Sequence, residues 1–186
     1  MTVVVPAEMI AERQRLGLDI RDEVWDGVYH VVPPASEEHQ RIGAELLVVL
    51  ASLAREAGLA FRYETGLFDP TGPIERDYWV PDLMVFRPEY RVRAGIRGRV
   101  ELVVEIRSPG DDSLLKVPYY SRVGVQELLI IERDTKEVRR WEEGTEGLAE
   151  VPAGEGGWHA VAALPMQIRG IGGRLEVDAR GEIHVI

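Results

Sequence analysis

The chain has 186 residues, of which 45% are hydrophobic and 29% are charged, and it contains no cysteine. These proportions are typical of a globular protein, and the length favours one domain with a sizeable core. The lack of cysteine excludes a disulfide framework, a thiolate nucleophile and a cysteine-bound metal. The formal net charge of −10 argues against coating nucleic acid by bulk charge, but local phosphate contacts stay open.

The N-terminal stretch MTVVVPAEMI lacks the basic region and the long apolar run of a secretory signal. No segment approaches the ~20 consecutive apolar residues that a membrane helix needs. We therefore expect a cytoplasmic protein that has no membrane partner.

The first half of the chain is predicted to alternate helices with strands. In chain order, the patterns predict a helix over residues 6–16, a hairpin over 23–32, a long helix from 36 to about 57, and strands over 60–68, 79–86 and 100–106. The hairpin depends on the turn dipeptide Asp26-Gly27. The long helix depends on Ser36 as its cap and on apolar residues at helical spacing.

The second half is predicted to be richer in strands. The patterns predict a helix from Asp112 to about Arg122 with a break at Pro118, a buried strand over 127–131 paired with 136–141, a glycine-rich loop over 144–157, and a last hairpin formed by 174–178 and 182–186. The order of elements predicts an α/β or α+β fold with a mixed sheet.

Two carboxylates and one amine stand near the ends of predicted elements. Asp82 and Glu105 belong to neighbouring strand segments, and Lys116 opens the helix that follows. Lys116 and Lys136 are the only lysines among 22 basic residues. An ammonium is compact and its pKa can shift, whereas a guanidinium stays charged. A lysine kept in such a chain is therefore a candidate for chemistry.

These three residues together suggest a metal-dependent hydrolase. If the two strands pair, Asp82 and Glu105 can hold a hard cation such as Mg²⁺, or Mn²⁺, with the backbone carbonyl of Ile106 as a further ligand. Lys116 would then approach the activated water and a scissile phosphate. The alternative is that all three are ordinary solvated side chains, and their spacing alone does not decide between the two.

Three stretches of the chain resemble the Uma2 family, which belongs to the PD-(D/E)xK restriction-endonuclease-like superfamily. They are WDGVYHVVPPASEEHQRI, VPDLMVF and ELVVEIRSPGDDSLLKVPYYSRVGVQELLII, all within about residues 22–142. The resemblance implies a restriction-endonuclease-like core over this range, with a mixed β-sheet flanked by helices. The patterns described above add extra hairpins at both ends of the chain and a C-terminal β extension over about 143–186. The resemblance also implies that Asp82 and Glu105 bind metal and that Lys116 is the catalytic lysine, moved from the strand to the helix.

Four further residues are candidates for supporting roles. Tyr120 lies one helical turn after Lys116, where it either orients the amine or a phosphate, or packs on the sheet. His39 either supports the site or is a capping or surface histidine. Glu45 is a further acid within an apolar helical stripe. Arg107 stands where the plain superfamily motif has lysine, and it either contacts phosphate or pairs with an acid.

The stretch RPEYRVRAGIRGR, residues 87–99, is strongly basic. Its candidate phosphate contacts are Arg91, Arg93, Arg97 and Arg99. A solvated loop or a dimer contact is the equally open alternative.

The first functional hypothesis is a Mg²⁺-dependent endonuclease that acts on DNA and works as a homodimer. The second is an inactive nuclease-fold module that binds nucleic acid or serves as an oligomeric scaffold. A third makes the two carboxylates the acid and base of glycoside hydrolysis, which leaves Lys116 without a role.

Overall fold

The structure is a computed structural model that describes residues 5–73 and 77–186. Residues 1–4, on which the absence of a secretory signal partly depends, lie outside this description. The described residues form three α-helices, α1 (Ala7–Leu16), α2 (Glu37–Glu56) and α3 (Val117–Arg122). They also form sixteen strands, which are β1 (Glu23–Trp25), β2 (Val28–His30), β3 (Ala60–Tyr63), β4 (Leu67–Phe68), β5 (Tyr78–Trp79), β6 (Leu83–Phe86), β7 (Arg91–Val92), β8 (Gly95–Arg97), β9 (Val100–Arg107), β10 (Glu127–Glu132), β11 (Val138–Gly144), β12 (Gly147–Val151), β13 (His159–Val161), β14 (Met166–Ile171), β15 (Arg174–Ala179) and β16 (Glu182–Val185).

A mixed six-stranded sheet forms the centre of the fold, in the order β12-β11-β10-β9-β6-β3. Strand β9 runs parallel to β10 and antiparallel to β6. Both β9 and β10 are almost continuously buried and have apolar residues at most of their central positions, as expected for strands covered on both faces. The predicted α+β class with a mixed sheet is confirmed.

Alternate residues of the central strands pack into two separate apolar clusters. On one face, Val104 and Leu129 join the apolar stripe of α2. On the other face, Val103 and Leu128 join Tyr120 of α3 and the second sheet, whose order is β2-β1-β5-β4-β8-β7. The central sheet is therefore flanked by helices on both faces, as the sequence predicts.

Two predicted strands are wrong in extent, because each is divided between two sheets. Residues 60–68 form β3 in the central sheet and β4 in the second sheet, and the chain turns at Glu64, whose φ is 43°. Residues 79–86 are interrupted by Pro81, which has no N–H to donate to a ladder. Asp82 consequently precedes β6 and does not end a strand.

The basic stretch 87–99 and the glycine-rich stretch 144–157 are both more ordered than predicted. The first contains the short antiparallel pair β7–β8. The second contains β12, which pairs with β11 across a turn at Gly144 and Gly147. Gly147 has a φ of 107°, which a side chain would strain, and this explains how a glycine-rich segment makes a tight hairpin.

The C-terminal residues form a four-stranded antiparallel sheet in the order β13-β14-β15-β16. The predicted last hairpin corresponds to β15 and β16 and is confirmed, whereas β13 and β14 were not predicted. Ile168 and Val177 are fully buried in the cluster that also contains the α2 stripe. The C-terminal sheet therefore packs on the α2 side of the central sheet.

Candidate functional site

Asp82 and Glu105 lie side by side because β6 and β9 are antiparallel. Leu83 pairs with Val104, so the residue before β6 faces the C-terminal part of β9. The Asp82 carboxylate extends the ladder there, with Oδ2 accepting a hydrogen bond from the Ile106 N–H at 2.6 Å. The structure thus brings together the two acids that the sequence singled out.

Glu105 is 3% exposed and has two donors on the same oxygen. Its Oε1 accepts from Lys116 Nζ at 3.2 Å and from the Tyr120 hydroxyl. Burial raises the pKa of Glu105 to about 8, the charge of Lys116 acts in the opposite direction, and the charge of Asp82 adds to the rise. The site therefore favours a cationic partner whenever Glu105 is ionised.

Lys116 reaches Glu105 from the last position of a short helical turn that directly precedes α3. Ser113–Lys116 is a 3-10 helix, and α3 starts directly after it with Pro118 in the first turn, where the missing N–H costs nothing. The predicted break at Pro118 is thereby explained, and it leaves Lys116 within reach of Glu105. Asp112, the predicted first residue of this helix, does not cap it through its side chain, because Asp111 Oδ1 accepts the Ser113 N–H instead.

Glu23 belongs to the site although sequence reasoning missed it. It is 2% exposed, and its Oε1 accepts from Lys116 Nζ at 3.1 Å and from the Val80 N–H at 2.8 Å. Its Oε2 accepts from the indole N–H of Trp25 at 2.9 Å. The spacing of Glu23 and Trp25 places them on one strand face, but no signal in the sequence shows that this face is buried.

The two glutamates keep Lys116 charged despite its burial. Burial alone lowers the pKa of Lys116, but the negative charges of Glu105 and Glu23 outweigh it and raise the pKa above its usual value. The amine is therefore an ammonium that donates to the two glutamate side chains, and it cannot serve as a general base in this state.

His39 lies in the first turn of α2 and contacts Asp82. Its backbone N–H donates to Ser36 Oγ, which caps the helix, and its Nε2 lies 2.9 Å from Asp82 Oδ1. A carboxylate only accepts, so Nε2 carries the proton. Burial lowers the pKa of His39, but the bond and charge of Asp82 outweigh burial, so the pKa is raised. His39 is thus a first-turn residue whose N–H is capped by Ser36 and whose side chain fixes Asp82.

Glu45 and Arg107 are not brought to this cluster. Glu45 pairs with Arg41 at 2.8 Å on the outer side of α2, with 43% of its side chain exposed. Arg107 pairs with Glu132 at 2.8 Å and donates to the Asp111 carbonyl at 3.1 Å. Of the two roles open to Arg107, the structure shows pairing with an acid.

The arginines of the 87–99 stretch do not line the cleft described below. Arg97 donates to the Gly72 carbonyl at 2.7 Å, and Arg99 bonds Gln126. Arg91 and Arg93 are exposed. Phosphate contact by these residues stays a prediction.

A cleft of about 540 Å³ opens over the acidic cluster. Asp82, Glu105 and Lys116 line it together with the segments 31–36 and 108–112. Two arginines also line it: Arg21, paired with Glu64 at 2.7 Å, and Arg133, paired with Asp134 at 2.6 Å. The arrangement can position an anionic group above two carboxylates and an ammonium.

Comparison with known proteins shows the family and the fold. The family model Uma2, described as "Putative restriction endonuclease", matches residues 10–176. The chain belongs to the Uma2 family. A crystal structure described as a putative nuclease belonging to DUF820, from Anabaena variabilis, matches 72% of this chain and 78% of its own, with 19% identity and a TM-score of 0.57. No curated protein matches the chain.

Membership of Uma2 supports a nuclease-like hydrolase with nucleic acid as its partner, in a class that generally uses divalent metals. The likeness to the DUF820 structure shows the fold alone. Across residues 5–73 and 77–186, no helix is long and apolar enough to cross a bilayer.

The donor set of this Uma2 chain fits an open site for a hard cation. Within the part of the chain that the structure describes, no three His, Asp or Glu residues converge as a closed metal cage. Mg²⁺ commonly takes only one or two carboxylates, with water and phosphate oxygens completing its shell. Asp82 and Glu105 supply the carboxylates. The backbone groups of successive residues in a strand point to opposite neighbouring strands. Because the Arg107 carbonyl accepts from the Arg133 N–H on the β10 side, the N–H and carbonyl of Ile106 point to the other side, where Asp82 lies.

Proposed function

We propose that this Uma2 protein is a Mg²⁺-dependent endonuclease that hydrolyses phosphodiester bonds in DNA, with Mn²⁺ as an alternative ion. The observation that carries the proposal is the Lys116 ammonium held beside Glu105, next to Asp82, at the base of an open cleft. Two adjacent acids and one charged amine are the groups that phosphodiester hydrolysis needs in one place.

Asp82, Glu105 and the Ile106 carbonyl would hold the cation. A divalent ion bound there acidifies the attacking water and stabilises charge on the phosphorus oxygens. The Ile106 N–H and His39 both engage Asp82, which restricts the rotation of its carboxylate. Such supporting contacts orient metal ligands and raise their effectiveness.

Lys116 would stabilise the negative charge that develops on the phosphate oxygens during attack. Because it is already an ammonium in the resting site, it needs no proton transfer to do so. Glu23 and Tyr120 act as positioning residues, since Glu23 holds the amine and Tyr120 holds the Glu105 oxygen that Lys116 contacts.

Arg21 and Arg133 are the candidates for phosphate contacts within the cleft. Arg133 also donates to Ser36 Oγ at 3.2 Å, which ties the guanidinium to the N-terminus of α2. Its partner Asp134 is more than half exposed, so an incoming phosphate can replace that pairing.

The test is nicking of supercoiled plasmid by the purified protein in Mg²⁺, Mn²⁺ or EDTA. We expect activity that EDTA abolishes and that Asp82→Ala and Lys116→Ala remove. Glu127→Gln is the matched control, because Glu127 is also 2% exposed and pairs with a cation, Arg140 at 2.7 Å, outside the cleft. Nicking that survives Asp82→Ala and Lys116→Ala would refute the proposal.

An inactive nuclease-fold module that binds nucleic acid or serves as an oligomeric scaffold is the second candidate. The engagement of Arg107 by Glu132 favours it, and the net charge of −10 favours its scaffold form. Calorimetry separates the two, since a folded protein that binds neither Mg²⁺ nor Mn²⁺ supports the module. A requirement for metal would also exclude glycoside hydrolysis. The predicted homodimer is checked by sedimentation of the same preparation.

A further inference from the structure

Four aromatic rings form a continuous stack that ends in the cleft. The ring centroids of His30 and Trp25 lie 3.9 Å apart, with an angle of 22° between the ring planes. The centroids of Trp25 and Trp79 lie 4.5 Å apart at 13°, and those of Trp79 and Tyr119 lie 4.4 Å apart at 11°. The inner rings are core residues, with Trp79 5% and Tyr119 3% exposed. The stack is therefore anchored at its inner end.

The outer end of this stack is next to the catalytic groups. His30 and Trp25 line the cleft together with Glu105 and Lys116, and both rings are only half-buried. Antiparallel pairing sets His30 directly opposite Glu23, the partner of Lys116. Among the described residues, no ring stacks on His30 other than Trp25. One flat face at the cleft consequently lacks an aromatic partner.

The buried inner rings of the stack are covered by the core, whereas the half-buried His30 ring lines the cleft and can contact a ligand. Offset stacking is favourable for rings of this kind, and proteins that bind single-stranded nucleic acid stack bases on exposed aromatic faces. A paired base inside a duplex does not present its flat face, whereas an unpaired base does. A ring face that stacks bases in this way, here called the platform, therefore favours a nucleic acid that has an unpaired base next to the scissile phosphate.

We propose that the outer face of His30 stacks an unpaired nucleobase, so that the cleft takes a polynucleotide with at least one unpaired nucleotide at the cleavage point. The inference rests on the proposed function and deepens it, because it names the substrate class. Trp25 supports the platform from behind, and the phosphate next to the stacked base then lies over Lys116. A free single strand and a flap or mismatch within a duplex present the same chemistry.

Binding is measured by fluorescence anisotropy in Ca²⁺, which allows binding without requiring turnover. The probes are a single-stranded oligonucleotide, the matched duplex, a duplex with a mismatch or flap, and a single strand carrying abasic positions. We expect the single strand and the flap or mismatch probe to bind more tightly than either the duplex or the abasic strand. Quenching of tryptophan fluorescence should accompany binding of the unpaired probes, because Trp25 lies directly behind the platform.

The variants are His30→Ala, His30→Leu and His30→Phe, each checked by thermal melting. Loss of the ring should weaken binding of the unpaired probes by about tenfold, in line with the contribution of base–aromatic stacking. His30→Phe should retain tight binding because it keeps a flat face, and His30→Leu should not although it fills similar space. Trp158→Ala is the matched control, since Trp158 is half-buried outside the cleft and packs on Arg169.

Equal binding of the duplex and the single strand, or unchanged binding by both His30→Ala and His30→Leu, would overturn the platform. Loss of binding in His30→Phe equal to that in His30→Leu would overturn it too, because the contact would then not be stacking. If the His30 variants cleave as fast as the wild type in the presence of metal, the nuclease proposal is retained and the platform is rejected. If binding depends on the ring but no probe is cleaved, the platform is retained and the nuclease proposal is rejected.

Discussion

The Lys116 ammonium and the Glu23 carboxylate lie 3.1 Å apart, although 93 positions separate them in the chain. The contact joins the short β1–β2 hairpin to the helical turn beside the central sheet. Glu23 is itself fixed by the Val80 N–H, which precedes Pro81 and Asp82. One buried carboxylate thus ties together the N-terminal hairpin, the segment that carries Asp82, and the lysine.

Glu23→Gln is expected to lower the cleavage rate by about tenfold, equivalent to ~1.4 kcal/mol of activation free energy. The amide keeps the shape and an acceptor oxygen, but it removes one of the two negative charges that hold Lys116. The rate is measured on plasmid at saturating Mg²⁺. Glu127→Gln, which disrupts a comparable buried pair with Arg140, should cost stability and leave the rate unchanged. If both variants retain the wild-type rate, Glu23 has no positioning role.

The two lysines of the chain provide a second comparison. Lys116→Met should reduce cleavage by at least about 100-fold, because the charge facing the developing phosphate negative charge is lost. Lys136 is also buried, 5% exposed, but it pairs with Glu38 at 2.6 Å away from the acidic cluster. Lys136→Met should therefore lower the melting temperature while the folded protein retains its rate. Equal loss of activity in the two variants would place the effect in folding.

The sequence predicted the parts of the site that depend on local pattern. Helix α2 and strand β10 are regular in their apolar spacing, and Glu105 and Lys116 lie in the stretch that resembles Uma2. Glu23 was not predicted as a site residue because its burial depends on the pairing of β1 with β5. Strand β5 has two residues, and it is joined to β1 by the single register pair Val24 and Tyr78. Such short pairings are stabilised by tertiary packing and leave almost no periodic signal in a sequence.

The stability of the metal-free protein should fall as the pH rises from about 5 to about 8. Glu105 has a folded pKa of about 8, above its value of 4.5 in the unfolded chain, so its stabilising protonation is lost through this window. The slope is at most about 1.4 kcal/mol per pH unit for one group. His39, whose pKa is also raised, contributes in the same direction near neutral pH, whereas His30 and His159, whose pKa values are lowered by burial, act in the opposite direction below about pH 6.5. Carboxyls with lowered pKa values, such as Asp22, titrate below the window.

Urea unfolding at a series of pH values in EDTA measures this slope. Glu105→Gln should flatten most of it, because the amide does not titrate, and His39→Gln should flatten the smaller part near neutrality. Saturating Mg²⁺ should oppose the decline in the wild-type protein, since the cation favours ionised Glu105. A wild-type slope that Glu105→Gln leaves intact would mean that other groups titrate there.

Arg133→Gln should weaken nucleic-acid binding by about tenfold and reduce the salt slope of log Kd by about 1, as expected for one lost phosphate contact. Arg133 lines the cleft and is held by Ser36, so its guanidinium is placed before the substrate arrives. Arg91→Gln is the control from the basic stretch, because Arg91 is exposed and outside the cleft lining. The measurement is anisotropy titration at several salt concentrations. A reduced slope in Arg91→Gln but not in Arg133→Gln would show that the substrate backbone runs along the basic stretch and not over the cleft rim.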